Sequence, residues 1–351
     1  MAKTLMKGNE AMSAAAIAAG CRCFFGYPIT PQNEIPEFMS KAMYEVGGAF
    51  VQAESEVAAI NMVYGAGGCG VRAMTSSSSP GIALKQEGVS YLAGAEVPAV
   101  ILNVMRGGPG LGGIQPSQSD YNMMTKGGGD GDYNCPVLAP ANLQEACDMI
   151  MEAFDLADYY RTPVYVAADG FIGQMMEPVD IVYKPKYEIK EKTWATNGTR
   201  NKRENNIINS IYLDPESLYE HNVHLQNKYN QIKEREARAE KYYTDDADII
   251  LVSYGTMSRV VRSVVDNFRK NNKKVGMIRP QTLWPFPIKE FNNPNCKMYI
   301  SIEMSMGQMI DDVKLACECR VPVKFFGKAG GLVPSLLEIT DNVQNLAGGI
   351  L

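Results

Sequence analysis

Histidine is almost missing from this chain: His221 and His224 are the only two in 351 residues, and both fall in a charged middle segment. A Ser-His-Asp or Cys-His centre needs a histidine inside a folded core, so that chemistry is excluded. The two are expected to be solvent-exposed filler rather than metal ligands. Long apolar runs are missing too. None approaches the ~20 residues needed to span a bilayer, and the first residues lack the apolar core and cleavage site of a secretory leader. The expectation is a cytoplasmic protein without a membrane partner. Strong charge is also lacking: the net charge is −5, which gives no electrostatic reason to expect nucleic acid. The eight cysteines (21, 23, 69, 135, 147, 296, 317 and 319) form no C-x-x-C pair and no four-cysteine cluster. They read as buried free thiols in a reducing compartment, and an iron–sulfur cluster held by this chain alone is not expected.

What is present is an ordinary globular composition, 46% apolar and 21% charged, over a length that suggests about two domains. Residues 1–180 alternate helical and extended patterns. Helices are expected from Gly8 to Ala19, Gln32 to Val46, Glu54 to Tyr64, Pro80 to Leu92 and Asn142 to Tyr160. Strands are expected at Cys23–Phe25, Ala49–Gln52, Val71–Met74, Val97–Met105 and Pro163–Ala168. Repeated βα units imply an α/β fold with a parallel sheet covered on both faces. From 181 to 245 Lys, Arg, Glu and Asn dominate. This segment reads as a charged inter-domain excursion, a solvated face or a partner-contacting arm, with a helix over Glu216–Lys241. Residues 246–351 form a second α/β unit. Its expected strands are Ile249–Val252, Val275–Ile278, Met298–Ile302 and Val321–Phe326, and its helices Ser258–Lys270 and Ser305–Cys317.

Gly65-Ala66-Gly67-Gly68-Cys69-Gly70 fits a G-x-G-x-x-G pattern in the wrong context, closing a helix rather than opening one. It is expected to be a helix C-cap and turn, which leaves a nucleotide-binding dehydrogenase a weak alternative. More informative is the stretch 54–81. Glu54-Ser55-Glu56 starts a helix, and the next strand runs into Thr75-Ser76-Ser77-Ser78-Ser79-Pro80-Gly81. Small hydroxyl residues and glycine let backbone approach a ligand, and the loop feeds a helix N-terminus. The plain alternative is that the carboxylates only favour their helix start and the serines only cap the next helix.

Gly129-Asp130-Gly131 resembles the start of the motif with which thiamine-diphosphate enzymes hold Mg²⁺ and pyrophosphate. That motif needs an asparagine further on, and none occurs between Asn142 and Asn197. The pyrophosphate half of such a site is therefore absent, and the glycines read as a flexible loop. The order glutamate, helix, strand, Ser-Pro-Gly loop resembles the pyrimidine-binding domain of the same enzymes. Gly26-Tyr27-Pro28-Ile29-Thr30-Pro31, Gln52-Ala53-Glu54-Ser55-Glu56 and Asn103-Val104-Met105-Arg106-Gly107-Gly108-Pro109 are similar to signatures of 2-oxoacid:ferredoxin oxidoreductase alpha subunits. Tyr254-Gly255-Thr256 and Ile278-Arg279-Pro280 resemble that family's second domain, so the likeness covers nearly the whole chain.

The resemblance implies a thiamine-diphosphate pyrimidine-binding domain followed by a transketolase C-terminal-like domain. It implies oxidative decarboxylation of a 2-oxoacid to acyl-CoA, with coenzyme A as co-substrate and electrons leaving to ferredoxin. Glu56 is then the catalytic carboxylate on the pyrimidine ring, with Glu54 its rival. Tyr27, Pro28, Ile29, Ser78 and Ser79 line the cofactor, and Thr30 and Arg106 lie near the substrate carboxylate. The chain itself holds no metal. A beta subunit supplies Mg²⁺ and pyrophosphate binding, and gamma and ferredoxin-like delta subunits complete the enzyme and carry iron–sulfur clusters. Leu111 and Ile114 suggest an apolar pocket for a branched-chain 2-oxoacid such as 3-methyl-2-oxobutanoate. The alternatives are a 2-oxoglutarate specificity, or a non-catalytic assembly subunit of the same fold.

Overall fold

A computed structural model describes residues 3–351. The chain runs β1 (Thr4–Lys7), α1 (Gly8–Ala18), β2 (Cys23–Gly26), α2 (Glu34–Glu45), β3 (Ala49–Gln52), α3 (Glu56–Gly68), β4 (Ala73–Ser77), α4 (Ser79–Leu84), α5 (Gln86–Gly94) and β5 (Ala99–Met105). It continues through α6 (Tyr121–Thr125), β6 (Val137–Leu138), α7 (Leu143–Tyr160), β7 (Pro163–Asp169), α8 (Gly170–Gln174) and β8 (Met176–Val179). Then come α9 (Pro215–Glu236), β9 (Ala239–Tyr242), β10 (Ile249–Val252), α10 (Met257–Lys270), β11 (Val275–Pro280) and β12 (Thr282–Trp284). The last elements are β13 (Met298–Glu303), α11 (Met309–Ala316), β14 (Val323–Gly327) and α12 (Leu336–Ala347).

Strands β5 and β7 are apolar along most of their length and wholly buried, as expected of central strands covered on both faces. They pair in parallel at the middle of a seven-stranded sheet ordered β12-β6-β7-β5-β4-β2-β3. A second sheet, β14-β13-β10-β11-β9, has parallel central strands. The helices follow their sequence signals: Asn142 caps α7 by accepting from the Glu145 N–H at 2.9 Å, and α12 starts with a Ser335/Glu338 capping box.

Several local expectations are corrected. α3 runs four residues past Tyr64 to Gly68, and the glycine-rich stretch closes it as expected, with Cys69 at the C-cap and Gly70 at φ +85°. Gly67 is there because a Cβ would lie 2.8 Å from the Pro98 carbonyl oxygen. Thr75, Ser76 and Ser77 belong to β4 rather than to the loop after it. The helix expected over Pro80–Leu92 breaks at Lys85 into α4 and α5. The helix expected from Ser305 begins only at Met309, because Glu303 accepts from the N–H groups of Gln308, Met309 and Ile310.

The charged middle segment is not a bare solvated face. Leu225, Tyr229 and Ile232 of α9 are buried, and Ala195 is fully buried. His221 is half-buried rather than exposed: it is stacked on Tyr212, with its Nε2 2.7 Å from the Gly94 carbonyl oxygen. His224 meets Glu96 at 3.0 Å. Strand β9 then joins the second sheet, while β12 returns to pair with β6 at the edge of the first. Further ties cross between the sheets. Gln118 donates to the Tyr254 carbonyl at 2.8 Å and accepts from the Met304 N–H at 3.0 Å, and Arg279 meets Glu145 through two 2.8 Å bonds.

Candidate functional site

The loops that carry the distinctive residues all leave the carboxyl ends of strands in the first sheet, where ligands of open α/β sheets bind. Residues 27–31 follow β2, Glu56 follows β3, residues 78–81 follow β4, and Arg106 follows β5.

Ser55 caps α3 in extended conformation, accepting from the Ala58 N–H at 3.1 Å, and this makes Glu56 the first helical residue. The two rival carboxylates are thereby separated: Glu54 is exposed and Glu56 is buried. Opposite Glu56 stands Gly81, where a Cβ would collide with Ser77 Oγ and lie 2.5 Å from Glu56 Oε1. Around this spot the hydroxyls of Thr75, Ser77 and Ser78 are buried and unpartnered. Buried polar atoms are rarely left in that state, and each costs about 1–3 kcal/mol. Ser77 stands beside the buried Glu56 carboxylate, Gly81 leaves room for both side chains, and the unpartnered hydroxyls of this strand end can serve a polar planar group. These residues fit an aminopyrimidine.

Ser79 differs from Ser78. Its Oγ lies 2.6 Å from Asp120 Oδ2 and accepts from the Arg106 N–H at 3.0 Å, so it serves an internal network that Asn103 joins at 2.9 Å. Burial raises the Asp120 carboxyl above its ordinary range, opposed by Ser79, Asn103 and Arg106. Arg106 is buried rather than a surface strand-end residue. Its guanidinium donates to the Thr30 carbonyl at 2.8 Å and to the Leu111 carbonyl at 3.1 Å, while Nε is unpartnered. The structure thus brings Thr30 and Arg106 together.

Tyr27 and Pro28 are exposed, and Ile29 and Thr30 half-buried. The loop is held from below: Gln32, itself fully buried, donates to the Tyr27 carbonyl at 3.2 Å, and Asn9 to the Pro31 carbonyl at 2.8 Å. A cavity of about 420 Å³ opens beside it, lined by Thr30, Pro31, Ile114, Pro116, Phe171 and Gln174 among others. Glu56 does not line this cavity, which lies on the Thr30 side of the loop. Leu111 is largely exposed and also stands outside it. Gly129-Asp130-Gly131 is an exposed loop against α5, where Ser90 donates to the Asp130 carbonyl.

Sequence reasoning missed Asp120 and Lys85, and took Asn103 only as part of a signature. Lys85 carried a signal that could have been read: a lone lysine between the apolar positions Ile82 and Val89 of a helical stretch. Among the described residues no group of three His, Cys, Asp or Glu side chains is placed to hold a metal, and no helix is long and apolar enough to cross a membrane.

Fold and site together define a thiamine-diphosphate-binding unit joined to a second, transketolase-like α/β unit. The model of the "Pyruvate flavodoxin/ferredoxin oxidoreductase, thiamine diP-bdg" family matches residues 14–241, and that of "Pyruvate:ferredoxin oxidoreductase core domain II" matches residues 247–339. The chain belongs to this family and is a subunit of an oxidoreductase of the 2-oxoacid:ferredoxin type that acts with partner subunits. It is 50% identical over 351 residues to the ketoisovalerate oxidoreductase subunit VorB of Methanothermobacter thermautotrophicus, covering 99% of both chains. It is 35% identical to the 2-oxoglutarate synthase subunit KorA of Methanothermobacter marburgensis, covering 97% of this chain and 98% of that one. Among solved structures it superposes on the 2-oxoglutarate:ferredoxin oxidoreductase of Magnetococcus marinus with TM-score 0.85 and 26% identity, over 98% of this chain and 65% of that chain. A split-gene transketolase matches at TM-score 0.60 and 13% identity, over 97% of each chain, a likeness of fold alone.

Proposed function

We propose that this chain is the alpha subunit of a branched-chain 2-oxoacid:ferredoxin oxidoreductase that converts 3-methyl-2-oxobutanoate to its acyl-CoA, and that Glu56 is its proton-relay carboxylate. One observation carries the assignment of Glu56. Of the two glutamates at the start of α3, only Glu56 is buried, and it faces Gly81 and the unpartnered Ser77 hydroxyl. A carboxylate at hydrogen-bond distance from a ring nitrogen, in a site sheltered from water, is the arrangement that proton relay needs.

Thiamine diphosphate, when bound, supplies carbanion stabilisation and an electron sink. The residues of this chain bind and orient. Glu56 holds a proton at the pyrimidine ring, Ser77 offers a hydroxyl beside it, Ser78 an unpartnered hydroxyl at the next position, and Tyr27, Pro28 and Ile29 present a turn nearby. Arg106, fixed by the Thr30 and Leu111 carbonyls with its Nε buried and unpartnered, sets a positive charge beside the loop that would face a substrate carboxylate. Ile114 and Phe171 give the neighbouring cavity an apolar wall suited to a branched side chain. The similarity to VorB at 50% against KorA at 35% supports the same substrate. A beta subunit would hold Mg²⁺ and pyrophosphate. Gamma and delta subunits would carry iron–sulfur clusters and pass electrons to ferredoxin, and the eight free cysteines suit a reducing cytoplasm.

The test is co-purification with its partners, then assay with coenzyme A, a viologen acceptor and a panel of 2-oxoacids. The expected preference is 3-methyl-2-oxobutanoate. Faster turnover of 2-oxoglutarate would overturn the substrate assignment.

A further inference from the structure

Lys85 sits at the break between α4 and α5 with no part of it exposed to solvent. Its Nζ has one hydrogen-bond partner among the described residues, the Glu56 main-chain carbonyl oxygen at 3.3 Å, and no carboxylate lies within ion-pair distance. The neighbourhood is tight: α5 presses on α3 so closely that a Cβ at Gly88 would run into Ile60. Burying an ammonium without an ion-pair partner is costly, and an apolar side chain of similar length would pack there at less cost. Stability therefore does not account for a lysine at this position. Its reach to the first residue of α3 does.

We infer that Lys85 is a positioning residue for Glu56, pinning the first turn of α3 through the Glu56 carbonyl and so fixing where the carboxylate points. This rests on the reading of Glu56 as the relay carboxylate. Burial pushes the Lys85 ammonium down to about 8, and Glu56, the charged group acting on it, opposes that shift.

The test uses the assembled complex with two readouts: thermal unfolding before thiamine diphosphate is added, and hydrogen–deuterium exchange at C2 of the bound cofactor, followed by NMR. Lys85→Met is expected to unfold no earlier than the parent, yet to slow exchange about tenfold or more, the scale of a lost positioning contact. Added to Glu56→Gln, it is expected to slow exchange no further, because residues acting as one unit are not additive. Exchange within about twofold of the parent in a folded Lys85→Met complex would overturn the inference, as would full additivity with Glu56→Gln. Should Lys85→Met fail to assemble, Lys85→Gln decides on the same readouts. If Glu56→Gln itself leaves exchange unchanged, it is the Glu56 reading that fails, and the two failures are thus told apart.

Discussion

The Glu56 carboxylate occupies the space that Gly81 leaves open: a Cβ on Gly81 would stand 2.5 Å from Glu56 Oε1. Real carbon–oxygen contacts do not come so close, so any side chain at 81 must move the carboxylate. Gly81→Ala is therefore expected to leave assembly intact and to lower kcat by about 100-fold, the scale of an ångström-sized misplacement of a catalytic group. Stopped-flow viologen reduction by the assembled complex measures it. A variant within a few-fold of the parent would show that the carboxylate has room to spare.

Arg106 offers a different kind of test, because its guanidinium is fixed by two backbone carbonyls, those of Thr30 and Leu111. A lysine ammonium cannot bridge both and also face a substrate, since it lacks the planar fork. Arg106→Lys is expected to raise KM for the 2-oxoacid by about tenfold or more, in line with one charge-assisted bond of about 1.5–3 kcal/mol, with a smaller change in kcat. Steady-state kinetics at fixed coenzyme A separates the two. An unchanged KM with collapsed kcat would assign Arg106 to the loop's architecture instead.

How much of this was legible in the sequence depends on what each residue's role rests on. Buried strands β5 and β7 announce themselves, because an apolar run covered on both faces needs no partner to be recognised. The helix start is equally local, although it was expected at Glu54 and the Ser55 cap places it at Glu56. The choice between Glu54 and Glu56 is not, since two residues at a helix start look alike until the facing element, Gly81, is in place. Gly67 has a reason that the motif does not show, the close approach of Pro98 at the entry to β5. β9 and β12 were hidden for the same cause: each is short and finds its partner across a unit boundary. Arg106 was placed near the substrate by resemblance alone, and its buried hold on Thr30 has no signature along the chain.

The charged middle segment contributes to stability in a pH-dependent way through Glu236 at the end of α9. Its carboxylate accepts from Tyr160 at 2.6 Å, Tyr187 at 2.5 Å and Lys186 at 2.8 Å. Burial alone would raise this carboxyl, but Lys186 and the two phenols outweigh it and hold it below its ordinary 4.5. The folded state therefore loses this proton more readily than the unfolded chain does. The contribution is complete above about pH 4.5 and fades as the pH falls from there through the folded value. Glu236→Gln is expected to lower stability by about 1–3 kcal/mol at neutral pH, and to flatten the acid side of a plot of melting temperature against pH. A parallel curve, merely shifted, would contradict this.

The half-site reading makes its own prediction. With no aspartate–asparagine pair for Mg²⁺ and pyrophosphate, the isolated chain is expected to bind thiamine diphosphate at least about tenfold more weakly than the assembled complex, a difference of about 1.4 kcal/mol or more. Isothermal calorimetry on the chain alone and on the complex gives the comparison. Equal affinity would mean that this chain holds the whole cofactor.

The account turns most directly on Glu56 in the assembled enzyme. Glu56→Gln keeps the size and the helix start and removes only the proton-relay carboxylate. Viologen reduction with 3-methyl-2-oxobutanoate and coenzyme A is predicted to fall about 100-fold or more, as general acid–base groups do when lost, while Glu54→Gln stays near the parent. A Glu56→Gln complex that reduces viologen at the parent rate would contradict the account.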